Sequence, residues 1–118
     1  MQPLTEQELH NLAMNLVGHK LEDQGYEFMG VNSKLKKNPQ FVCLKDKKLH
    51  FIVVRNVPYP DDPKIYDLAV MQKVKEHAQK FDAKTYYAGV GLSNAADQRL
   101  PVYLNEDYIV DYDGLIEV

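Results

Sequence analysis

Apolar residues recur at Leu9, Leu12, Ala13, Leu16, Val17 and Leu21, the spacing of one face of an amphipathic helix. Thr5-Glu6-Gln7-Glu8 stands before them as a capping box, with Leu4 and Leu9 at the staple positions and Gly25 as the stop. This predicts a first helix over about 6–24 with His10, Asn15, His19 and Glu22 on its polar face. Three strands follow, over about 26–32, 40–45 and 49–57. Asn38-Pro39 closes the lysine-rich turn after the first strand, and Lys45 to Lys48 makes a hairpin turn. The run Phe51-Ile52-Val53-Val54 has no polar position, the look of a central strand buried on both faces. Three prolines make 58–63 a loop, and Asp61 or Asp62 can cap a second helix with Pro63 at its first position. That helix is predicted over about 64–81, burying Leu68, Met71, Val74, Ala78 and Phe81. Thr85 to Leu92 is a fourth strand, and a strand, helix and strand in this order imply a parallel, right-handed crossover. Pro101–Leu104 and Tyr108–Tyr112 read as two short closing strands.

With 118 residues the chain has the size of one domain, and its 45% hydrophobic and 26% charged content is that of a soluble globular protein. No apolar run approaches the ~20 residues that span a bilayer, so no membrane insertion is expected. Residues 1–10 are polar and acidic, unlike a signal peptide, and a cytoplasmic location is the expectation. Cys43 is the one cysteine; it rules out an internal disulfide and a cysteine-cluster metal site, and its apolar strand makes it a core residue.

The formal charge of −3 conceals an uneven distribution. Residues 1–59 carry eight basic and six acidic side chains, residues 60–118 six basic and eleven acidic. Six lysines (Lys34, Lys36, Lys37, Lys45, Lys47 and Lys48) lie within fifteen residues, against Asp46 alone. Such a split steers partners by sign of charge. Beyond Arg99 the chain has only acidic charges and the tyrosines Tyr103, Tyr108 and Tyr112. Tyr86 and Tyr87 are adjacent and so face opposite sides of a strand.

Other patterns carry little chemistry. Gly89-Val90-Gly91 lacks the third glycine and the following helix of a dinucleotide site, and is read as a close backbone approach against the second helix. The four histidines show no metal-ligand spacing, and Asp61-Asp62 is explained by capping. Neither a cofactor nor a bound metal is expected.

The stretch from the first helix through Val57 resembles the restriction-endonuclease-like superfamily, in particular its small single-domain members. In that family a helix ends at a Gly-aromatic pair, a strand and an Asn-containing turn follow, the next strand carries an Asp, and a Glu-x-Lys ends a third strand. Gly25-Tyr26, Asn32 and the Phe51–Arg55 strand fall in step here. The resemblance covers about residues 5–92. It implies an α/β (α+β) fold with an α-β-β-β-α-β core and a short C-terminal β extension over about 100–118. It also implies a degenerate site: Gln40 fills the Asp slot, Val53 the Glu slot and Arg55 the Lys slot, and the acidic position of the first helix falls near Met14 or Asn15. Nucleases of the family hold Mg²⁺ between carboxylates and the scissile phosphate. Gln40 offers one amide oxygen, Val53 nothing, and Arg55 stays protonated and is no base.

The wording of Pro3 to Gly18 and of Leu100 to Gly114 is also similar to short bacterial proteins sometimes labelled as the F component of the sodium-translocating NADH-quinone reductase. That activity needs a membrane span and four cluster-ligating cysteines, and this chain has neither. Three expectations result. The first is a non-catalytic nuclease-like binding or assembly module, meeting nucleic acid or an acidic protein through Lys34, Lys36, Lys37, Lys45, Lys47, Lys48 and Arg55. The second is an accessory protein of a respiratory or other complex, docking by its tyrosine-rich C-terminal strands. The third is a Mg²⁺-dependent nuclease with displaced acids at Asp46, Asp61 or Asp67. A homodimer would cover the edge strands of a small sheet.

Overall fold

The structure, a computed structural model, describes residues 1–118. Its elements are α1 (Glu6–Asp23), β1 (Glu27–Val31), β2 (Phe41–Lys45), β3 (Lys48–Pro58), α2 (Leu68–Gln79), β4 (Lys84–Asn94), β5 (Tyr108–Asp111) and β6 (Ile116–Glu117). The mixed α+β class expected from the sequence is the class found. One sheet runs in the order β1-β2-β3-β4-β5, with β6 also on β4. β3 and β4 are parallel, joined through α2, and the other neighbours are antiparallel.

The ends of α1 are set by local chemistry. Thr5 Oγ1 accepts from the Glu8 amide at 3.1 Å, and Glu8 Oε1 accepts from the Thr5 amide at 2.9 Å, closing the capping box. Gly25 adopts φ +89°, and the amides of Gly25 and Tyr26 donate to the carbonyls of Glu22 and Leu21, the five-to-two and six-to-one bonds that terminate a helix. The buried face is His10, Ala13, Met14, Val17 and Leu21. His10 is therefore not on the polar face: it stands three and four residues before Ala13 and Met14 and shares their side of the helix.

Alternation along β3 builds two cores. Ile52 and Val54 join α1, Phe41, Cys43, Ala88, Val90 and Leu92 on one face. Phe51 and Val53 join Met71, Val74 and Ala78 of α2, with Tyr87, on the other. The polar-free run of the sequence is thus a strand covered on both sides, and Tyr86 and Tyr87 separate to the two faces as expected. Cys43 is fully buried, and burial pushes its thiol pKa up to about 11. β2 and β3 meet in a two-residue turn whose Asp46 and Lys47 both have positive φ (53° and 64°), the backbone that matches strand twist.

Three expectations are corrected. α2 begins at Leu68, capped by Asp67, whose Oδ1 accepts from the Val70 amide at 3.1 Å; Asp62 instead bonds the Lys64 amide in a turn. Consequently Leu68 is exposed, and Phe81 lies past the helix, partly exposed against Phe51 and His77. The reason is tertiary: the chain before α2 lies across β4, so close that a Cβ at Gly89 would stand 1.9 Å from the Pro63 carbonyl oxygen. Gly89 is a close approach, but of that loop rather than of α2. Residues 101–104 form no strand; the segment pairs with the N-terminus through Leu4 N–H to Val102 O and Leu104 N–H to Gln2 O. The second closing strand is β6, paired with Tyr86 and Tyr87. No helix is long and apolar enough to cross a membrane.

A candidate anion site at the loop end of the sheet

The pairing of Phe41 with Ile52, and the 3.0 Å bond from the Gln40 amide to the Ile52 carbonyl, bring Gln40 opposite Val53 where β2 begins. Arg55 lies two residues further along β3, on the same side as Val53. The three slots singled out in the sequence therefore meet at one end of the sheet, beside the β1–β2 loop.

Gln40 is fully buried and every polar atom of its side chain is engaged. Its Oε1 accepts from the Val54 amide at 2.8 Å and from Arg55 Nη1 at 3.4 Å. Its Nε2 donates to the Lys37 carbonyl at 3.2 Å and to Asn38 Oδ1 at 3.3 Å. Arg55 Nη1 also donates to the Val54 carbonyl at 2.9 Å, and Nη2 to Asn38 Oδ1 at 2.6 Å. This network holds the guanidinium in place using only neutral acceptors. The three ion pairs of the protein join Lys48 to Asp82, Lys64 to Asp113 and Arg99 to Asp97, so Arg55 has no carboxylate partner. Burial lowers its pKa, Tyr87 opposing, yet a guanidinium remains a cation at any working pH.

Beside Arg55 opens a cavity of about 490 Å³. Val53, Met71 and Tyr87 give it an apolar floor; Lys36, Asn38, Tyr66 and Asp67 stand around it. Tyr66 packs on Tyr87 with ring centroids 5.1 Å apart.

The lysines do not form one patch. Lys34, Lys36 and Lys37 lie exposed in the β1–β2 loop without ion pairs. Lys45, Lys47 and Lys48 lie at the far end of β2. There Lys45 Nζ sits 4.6 Å over the Tyr26 ring and Lys48 pairs with Asp82 at 3.4 Å. Only the loop lysines are near Arg55, and Lys36 lines the cavity with it.

The residues do not fit a nuclease metal. Gln40 Oε1 is occupied by two donors, Val53 has no ligand atom, and no three His, Cys, Asp or Glu side chains gather anywhere in the chain. Met14 packs in the α1 core, on the face of the sheet away from Val53. Asp46 lies in the hairpin turn at the opposite end of β3, and Asp67 is committed to its cap. His10 is buried on α1, with Nε2 unpartnered; burial first, then Arg55, lowers its pKa.

Sequence reasoning missed Asn38, Tyr66, Asp67 and Tyr87 as neighbours of Arg55. Asn38 alone had a local signal, the Asn-Pro that closes the loop. The others arrive from β4 and the start of α2 through tertiary packing.

Residues 7–118 match the family model described as Domain of unknown function (DUF8840), and the chain belongs to that family. No curated protein and no solved structure matches it.

Proposed function

We propose that the protein is a non-catalytic, restriction-endonuclease-like binding module whose recognition surface is the loop end of the sheet, Lys34, Lys36, Lys37 and Arg55, and that its partner there is nucleic acid. The observation that carries this reading is the Gln40–Asn38–Arg55 network: neutral acceptors hold a cation in the place where the family resemblance puts metal-binding acids. The element order α-β-β-β-α-β supports the nuclease-like assignment. The hairpin lysines drop out of the surface, because they stand at the other end of β2 and two of them are engaged within the protein.

The test is fluorescence anisotropy with short labelled single- and double-stranded DNA at ~50 and ~200 mM salt, with Mg²⁺, the probe being checked afterwards for cleavage. About four phosphate contacts should weaken binding roughly a hundredfold across that salt range while the probe stays intact. No binding at low salt retires the nucleic-acid partner, and Mg²⁺-dependent cutting retires the non-catalytic reading.

A second reading rests on β5. All four of its residues are exposed, including Tyr108, Ile109 and Val110, and it forms an outer edge of the sheet. An edge of this kind accepts a strand from another chain, which suits an accessory protein of a respiratory or other complex, or a homodimer. Ile109→Lys leaves the pairing of β5 with β4 intact; unchanged partner capture and unchanged mass in solution would count against this reading.

A further inference from the structure

The Arg55 cavity has an apolar floor that a nucleic-acid backbone does not use. A guanidinium presents five N–H donors. Three hydrogen bonds engage Nη1 with the Val54 carbonyl and Gln40, and Nη2 with Asn38, leaving the Nε–H and one Nη2–H without a protein acceptor. Those donors belong to a cation that has no counter-ion and is already fixed in orientation. The floor below it is Val53, Met71 and Tyr87, two aliphatic side chains and a ring. A volume of about 490 Å³ lies within the range of small-molecule sites. Lys36 adds a second positive charge at the rim, and Asp67 a negative one whose Oδ1 is held by the Val70 amide. One net positive charge and one pair of free N–H groups match one carboxylate. A sugar-phosphate backbone would leave the apolar floor unfilled.

We propose that this cavity binds a small organic acid, a single carboxylate on a compact apolar body, with the carboxylate on Arg55 and the body against Val53, Met71 and Tyr87. The proposal goes beyond nucleic-acid binding and does not require it.

The experiment is a ¹H–¹⁵N NMR titration of the full chain with phenylacetate and, in parallel, with the neutral phenylacetamide. Phenylacetate should move the amides of Val53, Arg55, Met71 and Tyr87 and saturate with a Kd of about 1 mM or tighter. Phenylacetamide should bind at least about tenfold more weakly, since it forfeits a charge-assisted bond. Arg55→Lys keeps the charge but loses the fork, and should also weaken binding about tenfold. Val70→Phe fills the cavity from its half-buried wall and leaves Arg55 and the residues that hold it unchanged, and should abolish the shifts while the rest of the spectrum stays folded. No movement of these amides at about 10 mM phenylacetate, equal affinity for acid and amide, or full binding by a folded Val70→Phe would each overturn the proposal. The two readings fail separately. Phenylacetate binding without DNA binding leaves this site standing and retires the nucleic-acid partner, whereas DNA binding without phenylacetate shifts overturns this site alone.

Discussion

The two ends of β2 and β3 carry three lysines each, and they have opposite characters. At the hairpin end two of the three cations are engaged: Lys45 lies on the Tyr26 ring, Lys48 meets Asp82, and the turn is two residues long. At the loop end the three lysines are unpaired, and a fourth cation, Arg55, is held by amide and carbonyl oxygens beside an open cavity. Charge density along a sequence therefore does not identify a binding surface. What separates the ends is that two of the hairpin cations meet a ring or a carboxylate within the fold, whereas no cation of the loop end meets either.

The largest difference should appear in stability. Gln40→Leu strips the buried Val54 amide of its acceptor and Arg55 of one of its partners, and should cost about 3 kcal/mol in urea denaturation. Lys45→Met, which removes only a ring contact at the hairpin end, should cost about 0.5 kcal/mol. Equal losses would erase the contrast. Binding comes next. Lys34→Glu, Lys36→Glu and Lys37→Glu together should abolish salt-sensitive DNA binding, whereas the same changes at Lys45, Lys47 and Lys48 should alter it about threefold or less, since only long-range charge is lost.

Each end also holds a buried histidine, which sharpens the comparison by pH. Burial is the main cause lowering the pKa of both His10 and His50 from the ordinary 6.5; Arg55 adds to it at His10, and Lys84 and Lys45 at His50, where a bond to the Lys45 carbonyl opposes it. Well above pH 6.5 both are neutral folded and unfolded, and stability does not depend on them. As pH falls below 6.5 the unfolded chain takes up protons that the folded one refuses, so stability declines, with up to two protons released on folding. His10→Gln should flatten part of that decline, and His50→Gln the rest, in denaturation midpoints followed from pH 7 to 5. Smaller still, Thr5→Ala should remove about 1 kcal/mol by opening the capping box. Asp82→Asn should leave the midpoint unmoved, because that pair is solvent-screened.

Local chemistry made much of this fold legible. The capping box, Gly25 and the polar-free run at Phe51–Val54 each dictate an element from a few neighbouring residues, and α1, β2 and β3 lie within a residue or so of their expected bounds. The start of α2 was not legible, because Asp61, Asp62 and Asp67 are all of a residue type that caps helices, and the close approach of Pro63 to Gly89 is a tertiary feature that no local pattern announces. Residues 101–104 misled for a similar reason: their partners are residues 2–4, a pairing no local pattern announces. At the site, Gln40, Val53 and Arg55 were singled out through the family resemblance, and the pairing of β2 with β3 is what brings them together. The merging of six lysines into one surface was not correct, since a five-residue strand separates the two trios by about 17 Å.

Cys43 has a practical consequence. The only thiol of the chain is fully buried in β2 between the two ends, with its pKa pushed up to about 11. An alkylating reagent can reach it only while the sheet is open, so its rate of modification is a clock for opening. Run with and without ligand, that clock counts how often the molecule comes apart, and it needs no engineered label.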